Sequence, residues 1–273
     1  MEVGATLSEG KTKVVYAHPG DSSLAILFHK DGITAGDGAR RAVIAGKGAL
    51  AGRTTANVFA LLNAAGVATH FVAAPAPEYT VVRRCTMIPL EVVMRRLATG
   101  SYLKRNPGVP EGTRFDPPLV EFFLKDDARH DPQIGERAIV EQGVARSAEV
   151  QTMIGEGRRV FAVLEQAWAA QDVALVDLKI EFGRDAPGTL LVADVIDNDS
   201  WRIWPGGDKG RMLDKQVYRN AQQVDGDVLD DIRRRYAIVA ELTDRFTHGY
   251  AISKPSVYDL YDVRLIIHSN ASR

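Results

Sequence analysis

Apolar and charged positions alternate without a break in VDLKIEF, residues 176 to 182. A strand there turns Val176, Leu178, Ile180 and Phe182 to one side and Asp177, Lys179 and Glu181 to the other. After the turn-forming stretch GRDAPG, the run TLLVADVI predicts a second strand, paired in a hairpin, whose parity sets Asp194 on the face of Val192 and Leu190. Helical spacing takes over on either side. Val150, Met153, Ile154, Phe161, Leu164 and Trp168 mark a long amphipathic helix behind a Ser147 cap. Leu229, Ile232, Tyr236 and Val239 mark another, from about Asp227 toward Phe246.

Upstream, short β-rich runs (Val14 to Tyr16, Leu24 to Phe28, His70 to Ala73, Tyr79 to Arg84, Val92 to Met94) alternate with Gly and Pro turns. One helix interrupts them, from Thr54 to Ala65, with Val58, Leu61 and Leu62 on one face and Gly66 just past its end. NPGVPEGTRFDPP, from Asn106 to Pro118, is too rich in proline and glycine for a regular element and predicts a loop or lobe connector. The class is α+β. A chain of 273 residues is long for one domain of ~100–200, which predicts two lobes around a cleft. Residues 1–105 form the first, 106–246 the second, and 247–273 an extension holding a candidate strand from Tyr261 to His268.

Charge changes this picture locally rather than globally. The 34 Lys+Arg and 35 Asp+Glu leave a net charge of −1, which excludes a nucleic-acid coat protein or a polybasic membrane binder. Cys85 is the single cysteine and suits a reducing compartment. The amino terminus lacks a signal peptide's basic flank and apolar core, and no apolar run approaches the ~20 residues of a membrane span, so a cytoplasmic protein is expected. Within the balance, residues 177 to 199 hold six acids against two bases (−4). Residues 83 to 105 hold six bases against one acid (+5). These two excesses are expected to form opposing walls of the cleft.

The chemistry follows from those excesses. DxKxE sets acid, base and acid at ~6.6 Å steps along one strand face, either a working surface or a salt-bridge ladder. Asp194, Asp197 and Asp199 crowd close behind, and clustered carboxylates repel unless a cation joins them. The arginines of the basic segment offer forks for carboxylate or phosphate, with TGS (Thr99 to Ser101) beside them. LSEGKTKVVY places Lys11 and Lys13 after Gly10. This is not a Walker A loop, because the glycine spacing is wrong and a strand follows; a glycine hairpin closing lysines over a nucleotide fits better. His130, among polar neighbours, reads as a solvated loop histidine.

These residues occur in six ordered motifs: EGKTKVVY, DGITAGDGAR, MIPLEVVMRRLATGSYLKR, FFLKDDARHDP, LVDLKIEFG, and ADVIDNDSWRIWPGGD with DKQVYR. Over roughly residues 8 to 246 the chain resembles the SAICAR synthetase family. The resemblance implies a two-lobed fold related to ATP-grasp, with antiparallel sheets flanked by helices and the active site in the cleft. It implies ATP-dependent ligation of L-aspartate to the carboxylate of the ribonucleotide CAIR through an acyl phosphate, in purine biosynthesis, with ATP and Mg²⁺ as cofactors. A homo-oligomer is compatible with it. It assigns Lys11 and Lys13 to the ATP phosphates, the strand around Met87 to the adenine, and Glu181 and Asp194 to magnesium. Glu91, Arg95, Ser101, Lys104, Lys215 and Arg219 fall to substrate, Arg95 and Ser101 as anion holders. Asp177 and Lys179 are catalytic, and Lys125 and Asp131 are further candidates. A four-residue turn at 184 to 187 would put Glu181 roughly 13 Å from Asp194 along the sheet, so the metal pair needs a longer loop or a bulge. A small-molecule kinase of related fold and a non-catalytic nucleotide sensor are the competing readings.

Overall fold

The computed structural model describes residues 1–35, 40–221 and 224–246; the extension 247–273 and its candidate strand lie outside them. The first half of the chain runs β1 (Thr6–Glu9), β2 (Lys13–Ala17), β3 (Leu24–His29), β4 (Gly32–Ala35), β5 (Arg40–Val43), α1 (Lys47–Ala64), β6 (Phe71–Ala76), β7 (Tyr79–Arg83), β8 (Thr86–Leu97) and α2 (Ser101–Arg105). The second half continues with β9 (Arg114–Leu124), β10 (Gln133–Ile134), α3 (Glu136–Glu141), α4 (Ser147–Ala169), β11 (Val173–Arg184), β12 (Leu190–Ala193), β13 (Trp201–Pro205), α5 (Gln216–Asn220) and α6 (Gly226–Asp244).

Two large antiparallel sheets result, one in the order β1-β2-β3-β7-β6 and the other β10-β9-β8-β11-β12, with β13 also on β11, and β4 and β5 pair as a separate two-stranded hairpin. The chain passes from the first sheet to the second between Arg83 and Thr86, so β8, inside the predicted first lobe, is a central strand of the second sheet. A further link joins them at the edges, where His70 donates its backbone N–H to Val192 and Val192 donates to Ala68.

The apolar face of β11 does what its alternation predicts. Leu178, Ile180 and Phe182 are buried with Val92 and Met94 of β8 beneath α4, whose Val150, Met153, Val160, Phe161, Leu164 and Trp168 complete the core. Trp168 packs edge-on against Trp201 and Phe246, with ring centres 5.2 and 5.0 Å away. Burying this face forces Asp177, Lys179 and Glu181 to the opposite one. A second, smaller core joins α1 to α6 through Ile33, Ala51, Tyr218, Ile232 and Tyr236.

Four local expectations change. Helix α1 starts at Lys47 rather than Thr54. Its extra turns contain Gly48 and Gly52, poor helix formers by propensity, because a Cβ there would stand 2.2 Å from the His29 carbonyl oxygen and 2.1 Å from that of Pro77. Strand β9 begins at Arg114, inside the predicted loop. Pro117 and Pro118 fit where its register with β8 shifts, between Leu97↔Arg114 and Arg95↔Leu119, beyond the reach of β10. Helix α4 is capped by Arg146 rather than Ser147, with Glu149 accepting from the Arg146 backbone N–H at 2.8 Å. Finally, the basic and acidic segments are not opposing walls. Strands β8 and β11 are neighbours in one sheet, with Arg95 directly opposite Asp177 and Lys179 of β11 paired with Glu91 of β8, so part of the charge compensates across the strand pair.

Candidate active site

The charged face of β11 borders a cavity of about 670 Å³ between the two sheets. The β1–β2 hairpin contributes Lys11 and Lys13, β8 contributes Glu91, and β11 contributes Lys179 and Glu181. Asp194, Asp197 and Asp199 follow from the segment after β12, and Lys215 and Arg219 from α5 and its N-cap. Lys125 and Asp131 complete the rim. An adjoining cavity of about 310 Å³ is lined by Arg95, Ser101, Arg105, Asp177 and Arg202, and shares Glu91 and Asp131 with the first.

The structure therefore brings together Lys11, Lys13, Glu91, Lys179, Glu181, Asp194, Lys215 and Arg219 in the larger space, and Glu91, Arg95, Ser101 and Asp177 in the smaller one. Met87 and Lys104 line neither. Met87 stands opposite Gly183 where the chain has just crossed between sheets, and Lys104 is exposed on α2.

The register settles the separation of Glu181 and Asp194. The pairs Arg184↔Leu190 and Glu181↔Ala193 leave residues 185 to 189 as the loop, longer than the four-residue turn, so Asp194 follows the residue paired with Glu181. Its φ of 65° ends the extended strand, and alternation no longer fixes its side chain to the Val192 face. Asp194 instead meets Lys13 in an ion pair and lines the same cavity as Glu181.

Lysines surround this end of the strand. Lys179 donates to Glu91 at 3.1 Å and to Glu181 at 3.0 Å, and Lys125 donates to Glu181 at 2.7 Å. Burial opposes ionisation of Glu181, but Lys179 and Lys125 outweigh it and bring the carboxyl down to about 2. Burial likewise opposes the charge of Lys179, and Glu181 and Glu91 overcome it, raising that ammonium above its ordinary range. For Lys13 burial wins and brings the ammonium down to about 8.

At the other end Asp177 is held by arginines. Arg95 donates to it at 2.9 Å and to Glu121 at 2.5 Å; Arg202 also pairs with Asp177, and Arg105 reaches Glu121 at 2.6 Å. Arg95 is 3% exposed and its fork is occupied by two protein carboxylates. It therefore organises the smaller cavity, to which Arg105 and Arg202 also bring positive charge.

Sequence reasoning missed a buried group beneath the cavity. Lys47 is 1% exposed and sits 5.3 Å from the ring centre of Tyr236. The Tyr236 hydroxyl donates to Asp199 at 2.7 Å, and Lys215 donates to the other oxygen at 2.7 Å. Burial opposes ionisation of Asp199, yet Lys215 and Lys47 hold its carboxyl down to about 2, while burial and the neighbouring Asp199 push that of Asp197 up. A lysine in a glycine-rich run carries no sign of burial, whereas Asp199 and Arg202 lie inside the ADVIDNDSWRIWPGGD motif.

Among the described residues no group of three or more His, Cys, Asp or Glu is placed to hold a metal ion. Two carboxylates lining one cavity, Glu181 and Asp194, would still suit Mg²⁺, which is typically held by one or two carboxylates together with substrate phosphates. The surrounding lysines match such phosphates.

The family model described as SAICAR synthetase matches residues 6–235. A phosphoribosylaminoimidazole-succinocarboxamide synthase of Chloroflexus aggregans is 74% identical over 246 residues, covering 90% of this chain and 98% of that protein. The crystal structure of the enzyme of that name from Ehrlichia chaffeensis aligns with a TM-score of 0.80 at 30% identity, over 88% of this chain and 98% of the other. A SAICAR synthetase in complex with ADP aligns at 0.77 and 33% identity, over 89% and 97%. A family match that spans both sheets and the whole charged face of β11, with this closeness in sequence and fold, places the chain in the SAICAR synthetase family.

Proposed function

We propose that the chain joins L-aspartate to the carboxylate of CAIR at the expense of ATP, giving SAICAR, ADP and phosphate in purine biosynthesis. The observation that carries this reading is the β11 face, on which one lysine is shared by two carboxylates inside a cavity whose far rim is the lysine hairpin.

A carboxylate is inert to amines, so one CAIR carboxylate oxygen first attacks the γ-phosphorus of ATP, and the bond to the ADP oxygen breaks. The amine of aspartate then attacks the carbonyl carbon of this acyl phosphate, the C–O bond breaks so that phosphate leaves with its electron pair, and the nitrogen loses a proton. Every reactant is anionic. Holding them side by side replaces bimolecular encounters with positioned attack, and fixed cations offset the repulsion. In this reading Lys11 and Lys13 hold the ATP phosphates, with the crossover near Met87 beside the adenine. Lys179, oriented by Glu91 and Glu181, stabilises charge on the moving phosphoryl group, and Asp177 fixes the arginines of the smaller cavity. Glu91, Arg95, Ser101, Lys104, Lys215 and Arg219 serve CAIR, with Arg95 acting through its neighbours. Glu181 and Asp194 would hold Mg²⁺, which when bound supplies neutralisation of phosphate charge. The assignment of residues 1–105 and 106–246 to two lobes belongs to the same reading, with β8 reaching from the first stretch into the sheet of the second. A cytoplasmic location is consistent with one cysteine and, among the described residues, no helix long and apolar enough to cross a membrane. The kinase alternative is not favoured by the family's ligases. The test mixes protein, CAIR, aspartate, ATP and Mg²⁺ and follows ADP and SAICAR; ATP turnover without aspartate-dependent product would refute the ligase.

A further inference from the structure

The cavity cations Lys215 and Arg219 sit on α5 and its N-cap, a helix of five residues with only Tyr218 buried. Such a helix has almost no internal hydrogen bonds and does not persist alone. Its carboxyl end is held from a distant part of the chain. Arg40, the first residue of β5, donates to the carbonyl of Tyr218 at 3.0 Å and to that of Ala221 at 2.6 Å. The same guanidinium lies 5.9 Å from the centre of the Tyr218 ring. A cation at this end also complements the helix dipole. Arg219 lies between the two carbonyls that Arg40 holds, and Thr34 on the paired strand β4 lines the same cavity.

We infer that Arg40 is a positioning residue: by tying the last carbonyls of α5 to the β4–β5 hairpin it aims Arg219 into the substrate cavity. It touches no reacting atom. DGITAGDGAR, which ends at Arg40, thereby gains a part in the site that its own composition does not disclose. The inference rests on the ligase reading for its kinetic consequence and on geometry for its structural one.

Two readouts separate them. In hydrogen exchange, Arg40→Ala should lose protection over residues 216–221 while β11 keeps its own. In the ligation assay, the same variant should raise the KM for CAIR about tenfold, with kcat changed less than about threefold, as expected for lost ground-state binding. Arg40→Lys, which keeps a cation at the helix end, should recover part of the loss. Placed on Arg219→Ala, Arg40→Ala should add almost nothing, because its effect runs through Arg219. Unchanged exchange over 216–221, or a full additional loss on the Arg219→Ala background, overturns the inference. If Arg40→Ala melts near the assay temperature, Arg40→Lys is measured by the same two methods against the same criteria. Absence of product from the unaltered chain would instead refute the ligase, leaving the exchange result to decide the role of Arg40.

Discussion

The two ends of the charged face of β11 are built from the same ingredients and behave as different materials. At Asp177 the cations are arginines. Arg95 and Arg202 converge on one carboxylate, Glu121 takes Arg95 and Arg105, and Arg95, Glu121 and Asp177 are all buried. At Glu181 the cations are lysines, and Lys125, Lys179 and Lys13 keep a quarter to nearly half of their side chains exposed around the larger cavity. A guanidinium is a rigid fork that fixes two acceptors at once. An ammonium is a point charge on a flexible stem that can exchange one oxygen for another. The arginine end therefore reads as a clamp that sets geometry. The lysine end reads as a cage of movable charges, which in the proposed reaction would suit phosphates.

Removing one member from each end tests this division most strongly. Lys179→Ala should cut kcat roughly a thousandfold, as loss of a preorganised charge at developing anions does, with thermal stability nearly unchanged and CAIR binding still measurable by calorimetry. Asp177→Asn should lower the unfolding free energy by ~3–5 kcal/mol, because Arg95 and Arg202 are left facing an uncharged group in a buried site. If both variants melt alike in urea titrations, the two ends are one structural ladder and the division is wrong.

How far the sequence discloses this follows from the kind of order involved. The strict alternation of residues 176 to 182 is local, and burial of Leu178, Ile180 and Phe182 under α4 fixes where Asp177, Lys179 and Glu181 point. The pairing of Arg95 with Asp177 is not local. It depends on the register between β8 and β11, which a shift between Glu181 and Gly183 alters, and such a shift leaves no mark in composition. The family motifs therefore supplied Arg95 as an anion holder, while the structure shows its fork taken by Glu121 and Asp177. The start of helix α1 is not legible in the sequence, because Gly48 and Gly52 serve tertiary contact rather than helix propensity. With it goes Lys47, the cation beneath the cavity.

Exchanging the cations between the two ends is a milder test. Arg95→Lys keeps the charge and loses the fork, so one of its two carboxylates is left to its second arginine alone, Glu121 to Arg105 or Asp177 to Arg202. We expect ~1–3 kcal/mol of stability lost and a smaller kinetic effect. Lys13→Arg keeps the charge and stiffens it, so the bond to Asp194 should be harder to release. The KM for ATP should rise about tenfold with no loss of melting temperature. Were Lys13→Arg as active as the unaltered chain, the flexibility of the lysine end would have no kinetic role.

The smallest expected effect concerns a second arginine clamp on the same strand, at the far end from Asp177. Arg184 donates to both oxygens of Glu149, at 2.6 and 2.9 Å, and Arg146 adds a third bond at 3.0 Å. First Arg184 and then Arg146 hold the Glu149 carboxyl far below the ordinary glutamate range. The unfolded chain takes up a proton here near the ordinary value while the folded chain does not, so the stabilisation is present above that pH and drains away as pH falls. Glu149→Gln lacks this ionisation. The gap in unfolding free energy between the unaltered chain and Glu149→Gln should be largest at pH 6–7 and narrow by ~1 kcal/mol on acidification to pH 4. Chemical denaturation of both proteins across that range reads the gap directly. A gap that stays constant, or widens in acid, would show that Glu149 caps α4 and pins Arg184 by shape alone, and that charge matters at the arginine clamps less than fit.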